Sequence, residues 1–174
     1  MENLKQLREL MTEHSLDGLA VVPGPNMAHL TKSRFHLSER PVVFFILQNE
    51  ATFILPELES PKILDLGVNY ITYGDEEGPR PAFEKFAKTN NISKLGVESR
   101  TIRHLELDLI SSTGISSNIT DSIDIFAKLR MSKSDKEKDC MIEAVKIAET
   151  SLKSILGNIK PGVTEKQFAA DLVI

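Results

Sequence analysis

Apolar residues recur along this chain with two distinct periods, and each change of period marks a new element. Near the start, Leu4, Leu7, Leu10 and Met11 share one helical face, which predicts an amphipathic helix packed on a core. Asp17-Gly18 breaks that pattern, and residues 19–22 read as a short apolar strand ended by Pro23-Gly24-Pro25. Asn26 is the expected N-cap of a short helix reaching Leu30. A polar loop over residues 32–40 then leads through Pro41 to the most strand-like run of the chain, residues 42–48. Asn49-Glu50 marks a turn, and residues 52–55 return as the second arm of a hairpin.

The alternation continues. Residues 59–66 predict a helix with Pro61 in its first turn, and residues 69–73 a strand. After a loop rich in Gly, Pro and acids, residues 82–89 place Phe83, Phe86 and Ala87 on one helical face. Residues 94–97 predict another strand, Thr101 the cap of a helix to about Ser111, and residues 118–120 a weak strand. Strands alternating with helices, one hairpin included, predict an α/β fold for residues 1–130: a mixed β-sheet flanked by helices.

The character changes after residue 120. Residues 121–129 read as a short helix and residues 130–133 as a connector. Ser134 and Glu137 have capping-box spacing, in which each side chain satisfies a backbone donor of the first turn. They open a long helix whose stripe of Met141, Ala144, Val145, Ala148, Leu152, Ile155 and Ile159 predicts packing against a core. Pro161-Gly162 ends it, and Thr164 with Gln167 starts a further helix by the same spacing. No Gly, Asn or Pro stop follows before Ile174, which predicts that the natural chain continues. Residues 131–174 are thus expected to be a connector and the truncated start of a second domain.

Composition narrows the function classes. The chain has 174 residues, 41% hydrophobic and 26% charged, with a net charge of −4, as expected of a globular domain able to bury a core without metal or disulfides. Neither nucleic acid nor membrane is an expected partner, because no run of one sign stands out and no apolar stretch has spanning length. The single cysteine, Cys140, and the absence of a secretory pattern after Met1 predict a cytoplasmic setting.

The sequence carries few chemical motifs. There is no phosphate loop, no dinucleotide fingerprint, and no paired-His or paired-Cys zinc spacing. His36 and Glu39 have one-face spacing, but they precede Pro41 in a polar segment where a loop is expected. His29 is expected to be packed. His104, beside Glu106 and Asp108, is expected to be solvated. Cys140 has no partner base, and packing is its default role. The interleaved charges of residues 128–138 read as a solvated face. No catalytic residue and no metal ligand is assigned.

Several stretches, in order, resemble the prolidase / Xaa-Pro aminopeptidase / creatinase family of pita-bread metallopeptidases. They are Leu16-Asp17-Gly18-Leu19; Asn26 followed by His29-Leu30-Thr31-Lys32, where the family has a "YLTG"-like element; Leu55-Pro56-Glu57; and Leu95-Gly96-Val97-Glu98 for an "IGVE" strand. The strongest match is Leu129-Arg130 with Lys133-Ser134, Glu137, Met141, Ala144 and Ile147-Ala148, followed by Ile159-Lys160-Pro161-Gly162 and Thr164-Glu165. His29 and Lys32 stand where the family has Tyr and Gly, which predicts a differently shaped turn at Lys32.

The resemblance implies the N-terminal, non-catalytic domain of a metal-dependent Xaa-Pro peptidase, serving dimerisation and substrate-access restriction. Two divalent ions, manganese or cobalt, are implied for the full-length parent. The family's metal ligands lie beyond the matched positions, so this chain supplies no cofactor site. Its implied partners are its own catalytic domain and a second copy in a homodimer. Within the loop over residues 32–40, His36, Glu39 and Arg40 are the candidate contacts at a substrate mouth or dimer interface. Alternatives are a stand-alone interaction module and the domain of a creatinase-like amidinohydrolase.

Overall fold

The computed structural model describes residues 2–173, so the expectations attached to Met1 and Ile174 fall outside the described residues. The chain divides into two compact units, Met1–Arg130 and Met131–Ile174.

The first unit is built on a six-stranded sheet of β1 (Gly18–Val21), β2 (Val43–Leu47), β3 (Ala51–Pro56), β4 (Asn69–Tyr73), β5 (Leu95–Val97) and β6 (Ile119–Asp121). They lie in the order β4-β3-β2-β1-β5-β6. The sheet is mixed: β1–β2 and β2–β3 are antiparallel, while β3–β4, β1–β5 and β5–β6 are parallel. The order grows leftward from β1 through the hairpin, then resumes on its other side with β5.

Strand geometry sends alternate side chains to opposite faces, and here both faces are covered. Leu19, Val21, Phe44, Ile46, Phe53 and Leu55 face α1 (Glu2–Glu13), α2 (Pro25–Thr31) and α5 (Ile123–Met131). Ala20, Val22, Val43, Phe45 and Ile54 face α3 (Arg80–Thr89) and α4 (His104–Ser112). Phe rings make the centre of each layer. Phe44 stacks on Phe53 with centroids 4.1 Å apart, and Phe45 stacks on Phe86 at 4.4 Å.

Several local expectations are corrected. Residues 59–66 do not form an α-helix; two 3-10 segments, Glu57–Lys62 and Leu64–Leu66, take their place, with Pro61 inside the first. Pro61 has no backbone N–H, and the tighter, shorter helix loses least from that. Asn26 is not the cap of α2: Gly24 holds that position, and Asn26 lies in the first turn. Thr101 does not cap α4 either, since Arg103 does.

The second unit contains α6 (Asp135–Ile155), a 3-10 turn (Leu156–Asn158) and α7 (Glu165–Val173). The Ser134/Glu137 capping box forms as expected: Glu137 N–H donates to Ser134 Oγ at 3.3 Å and Ser134 N–H to Glu137 Oε2 at 3.0 Å. Gln167 N–H donates to Thr164 Oγ1 at 3.2 Å, starting α7. The apolar stripe departs from expectation. Met141, Val145, Leu152 and Ile159 are exposed, and of the stripe only Ile155 is buried. Cys140, expected to pack, is also exposed.

Candidate functional site

The loop after α2 starts with a backbone constraint. Lys32 has φ +59°, a left-handed conformation, and its N–H closes on Ala28 O at 2.8 Å. This is a conformation that glycine adopts freely and other residues adopt at a cost. Here the lysine itself adopts that geometry.

From Lys32 to Pro41 the loop is fastened repeatedly. Ser33 Oγ donates to Lys62 O at 2.8 Å. Phe35 is buried with its ring 5.8 Å from that of Phe53, and Lys62 Nζ lies over it at 5.3 Å. Arg103 Nη1 donates to Ser38 O at 2.5 Å. Arg40 grips Asp75 with a two-pronged bond, Nε to Oδ1 at 2.7 Å and Nη2 to Oδ2 at 2.9 Å. The Tyr73 hydroxyl donates to Pro41 O at 2.7 Å. Lys32, Arg34, His36, Leu37 and Glu39 remain exposed along the loop.

The three candidate residues therefore share a loop but not a role. Arg40 is spent on Asp75 and, through Nη1 at 2.8 Å, on Glu39. The Asp75 bond pushes the Arg40 guanidinium above its ordinary range, and Arg40 in turn holds the Asp75 carboxyl below its own. Together with Tyr73 they line an open cleft of about 400 Å³. Burial pushes the Tyr73 phenol up, so it stays protonated and donates to Pro41. His36 is left as the exposed imidazole of the loop.

A second constellation lies at the carboxyl ends of β1 and β5, where the strand order switches sides and α/β sheets commonly bind ligands. Asn26, Glu98 and Arg130 meet there, in a cleft of about 310 Å³. Asn26 Nδ2 donates to Glu98 Oε1 at 2.5 Å, and Arg130 Nη1 donates to Asn26 Oδ1 at 3.1 Å. Glu98 is only 4% exposed, and its Oε2 closes no hydrogen bond. Burial raises its pKa above the ordinary glutamate value. Opposing this, more weakly, are the Asn26 amide, the Val22 N–H, the Thr101 hydroxyl and the charge of Arg130. All three residues belong to the family-like stretches. Their convergence was not readable, because 72 residues separate Asn26 from Glu98 and 104 separate it from Arg130.

Glu106 was likewise missed. It is fully buried, although its neighbour His104 is exposed as expected, and it is held by Arg103 from three residues away. The spacing is that of a capping box, which could have flagged it, but Arg is not an ordinary cap residue.

Among the described residues no three His, Cys, Asp or Glu side chains are grouped to hold a metal ion. The side chains present therefore do not fit a metal pair, and no catalytic step is assigned to them.

The family described as Creatinase/Prolidase N-terminal domain matches residues 3–132. An uncharacterized peptidase of Schizosaccharomyces pombe is 26% identical over 184 residues, covering 95% of this chain and 39% of the relative. The crystal structure of a dipeptidase from Pyrococcus horikoshii is 25% identical with a TM-score of 0.87, covering 98% of this chain and 48% of that one. A prolidase from the same organism shares the fold at 21% identity and a TM-score of 0.79, covering 99% and 47%. The chain thus spans less than half the length of each of these relatives.

Proposed function

Because the chain belongs to the creatinase/prolidase N-terminal domain family, we propose that it is the non-catalytic N-terminal part of a metal-dependent Xaa-Pro peptidase. It works in the cytoplasm as a homodimer. Two divalent ions, manganese or cobalt, would be bound by a catalytic domain outside this chain and would activate water for attack on the peptide carbonyl. This chain's own contribution is to narrow the approach to that centre and to help pair two copies. His36 and the exposed Glu39 are the groups offered to a substrate or a second copy, while Arg40 holds the loop in place.

One observation carries this reading: a closely fastened loop leaves a short exposed tip, on a chain that spans under half the length of its peptidase relatives. Fixing the backbone in advance lowers the ordering cost when a partner or substrate is met. The test has two arms. The purified chain with added manganese or cobalt is expected not to hydrolyse an Xaa-Pro dipeptide, and chelator-sensitive turnover by it would overturn the reading. In the longer protein carrying this chain, His36→Ala is expected to raise KM for an Xaa-Pro dipeptide or weaken dimerisation while leaving the unfolding midpoint in place. No change in either would remove the loop from the proposed role.

A further inference from the structure

The geometry points to Arg103 as the positioning residue of the loop over residues 33–41, referencing it to a carboxylate buried in the core. Glu106 lies on α4 with no exposed side-chain surface. A buried carboxylate needs a full set of donors, and one residue supplies most of them. Arg103 gives its backbone N–H to Oε2 at 2.9 Å, its Nε to Oε1 at 3.0 Å and Oε2 at 3.2 Å, and its Nη2 to Oε1.

The guanidinium is planar and rigid, so fixing Nε and Nη2 fixes the direction of Nη1 as well. That remaining nitrogen donates to the carbonyl of Ser38 at 2.5 Å. Ser38 is two residues from His36, and its hydroxyl accepts the Arg40 N–H at 3.2 Å. The bond from Arg103 therefore reaches the backbone in the middle of the loop. The bond to Glu106 favours the charged form of Arg103, so the donor is retained across the ordinary pH range.

The second ionic fastening, Arg40–Asp75, holds the loop two residues further on. Asp75 is largely exposed, so that two-pronged pair stays open to water and to screening by salt. The Arg103–Glu106 pair differs because one partner is buried and cannot exchange its donors for water. A lysine at position 103 could keep the ion pair, but its single ammonium could not also hold a second direction toward Ser38.

The inference rests on the proposed role of the loop only for its consequence in catalysis. That Arg103 orders the loop can be tested separately. The experiment is amide hydrogen exchange by NMR on the 174-residue chain, comparing Arg103→Lys, the double variant Arg103→Gln/Glu106→Gln, and Ile92→Val as a control of mild core destabilisation. The double variant leaves no uncompensated buried charge, so a folded chain is available even if the lysine variant fails. The expected result is exchange about tenfold faster at the Arg40 amide, which donates to Ser38 Oγ, in the Arg103 variants, with the β1 and β2 amides following only global stability. Loop exchange unchanged from the parent, or raised only as far as in Ile92→Val, overturns the assignment. In the longer protein, Arg103→Lys is then expected to raise KM more than it lowers kcat. A loosened loop with unchanged KM keeps Arg103 as its positioning residue and removes the loop from substrate handling.

Discussion

Strand β2 and helix α6 are both rich in apolar residues, and the structure treats them in opposite ways. In β2, Val43, Phe44, Phe45 and Ile46 alternate between the faces of the sheet, and all four are fully buried. In α6, Met141, Val145 and Leu152 keep to one side of the helix, yet they are 55%, 56% and 44% exposed. The first unit closes its own core on both sides of a sheet. The second is a capped helix and its short companion, held by local bonds, with little apolar burial of its own. The lesson is that periodicity reports that a face is made to be covered; it does not say what covers it.

The contrast is open to direct attack because both tyrosines, Tyr70 and Tyr73, sit in β4 and there is no tryptophan. Tyrosine fluorescence therefore follows the first unit, while far-UV circular dichroism follows both. The largest effect is expected from Phe53→Ala, which removes a fully buried ring stacked on Phe44 and tilted against Phe35. A loss of about 3–5 kcal/mol is expected for such a ring. It should appear as an earlier urea midpoint in tyrosine fluorescence. A loss under about 1 kcal/mol would mean that the aromatic layer is looser than a native core.

Next in size is Gly96→Ala. A Cβ built there would lie 2.6 Å from Leu19 Cδ2, 2.8 Å from Leu16 Cδ1 and 3.0 Å from Ser122 Cβ. Leu19 is fully buried and cannot swing into solvent, so overpacking should cost about 1–3 kcal/mol. The same urea titration measures it, and a neutral result would show that β1 and β5 can separate to admit a methyl group.

Gly96 also shows how much of the fold was legible and why. As part of Leu95-Gly96-Val97-Glu98 it was visible as a family-like strand, and the strand is there. Its reason for being glycine, contact with side chains of β1 and the chain before it, is a tertiary fact that no local pattern carries. The same division runs through the molecule. The face of α1, the hairpin and the Ser134 cap depend on neighbours a few residues away, and they were readable. Asn26, an attractive cap by type, instead bonds to Glu98 and Arg130. Glu106, named only as a neighbour of His104, was given no role because nothing within its own turn announces Ser38 or the core beneath it. The loop holding His36, Glu39 and Arg40 was found, but the division between the fastener Arg40 and the exposed His36 required Asp75, which lies 35 residues from Arg40.

A smaller effect, of opposite sign, is expected from Lys32→Gly. The left-handed φ of +59° costs a lysine about 1–2 kcal/mol, and glycine returns part of that as extra freedom in the unfolded chain, about 0.5–1 kcal/mol. A net stabilisation of about 0.5 kcal/mol is expected, read as a later urea midpoint in tyrosine fluorescence. A loss of stability would mean that the lysine side chain makes up the backbone cost through contacts of its own.

The smallest effect is expected from Leu152→Asp, and it bears most directly on the contrast. The stripe pattern taken alone predicts a heavy loss, since a charge would enter an apolar interface. The observed exposure of Leu152 predicts otherwise: a change of about 0.5 kcal/mol or less, with the unfavourable placement of an acid near the C-terminal end of α6 as its main source. The circular dichroism melt of the chain should shift little, and the tyrosine signal not at all. A drop of several degrees in the helical signal would mean that the stripe is already buried in this chain, and the contrast between β2 and α6 would fail. The same substitution in a longer protein, where a catalytic domain would cover the stripe, should cost several-fold more. The difference between the two measurements would give the energetic contribution of that covering surface.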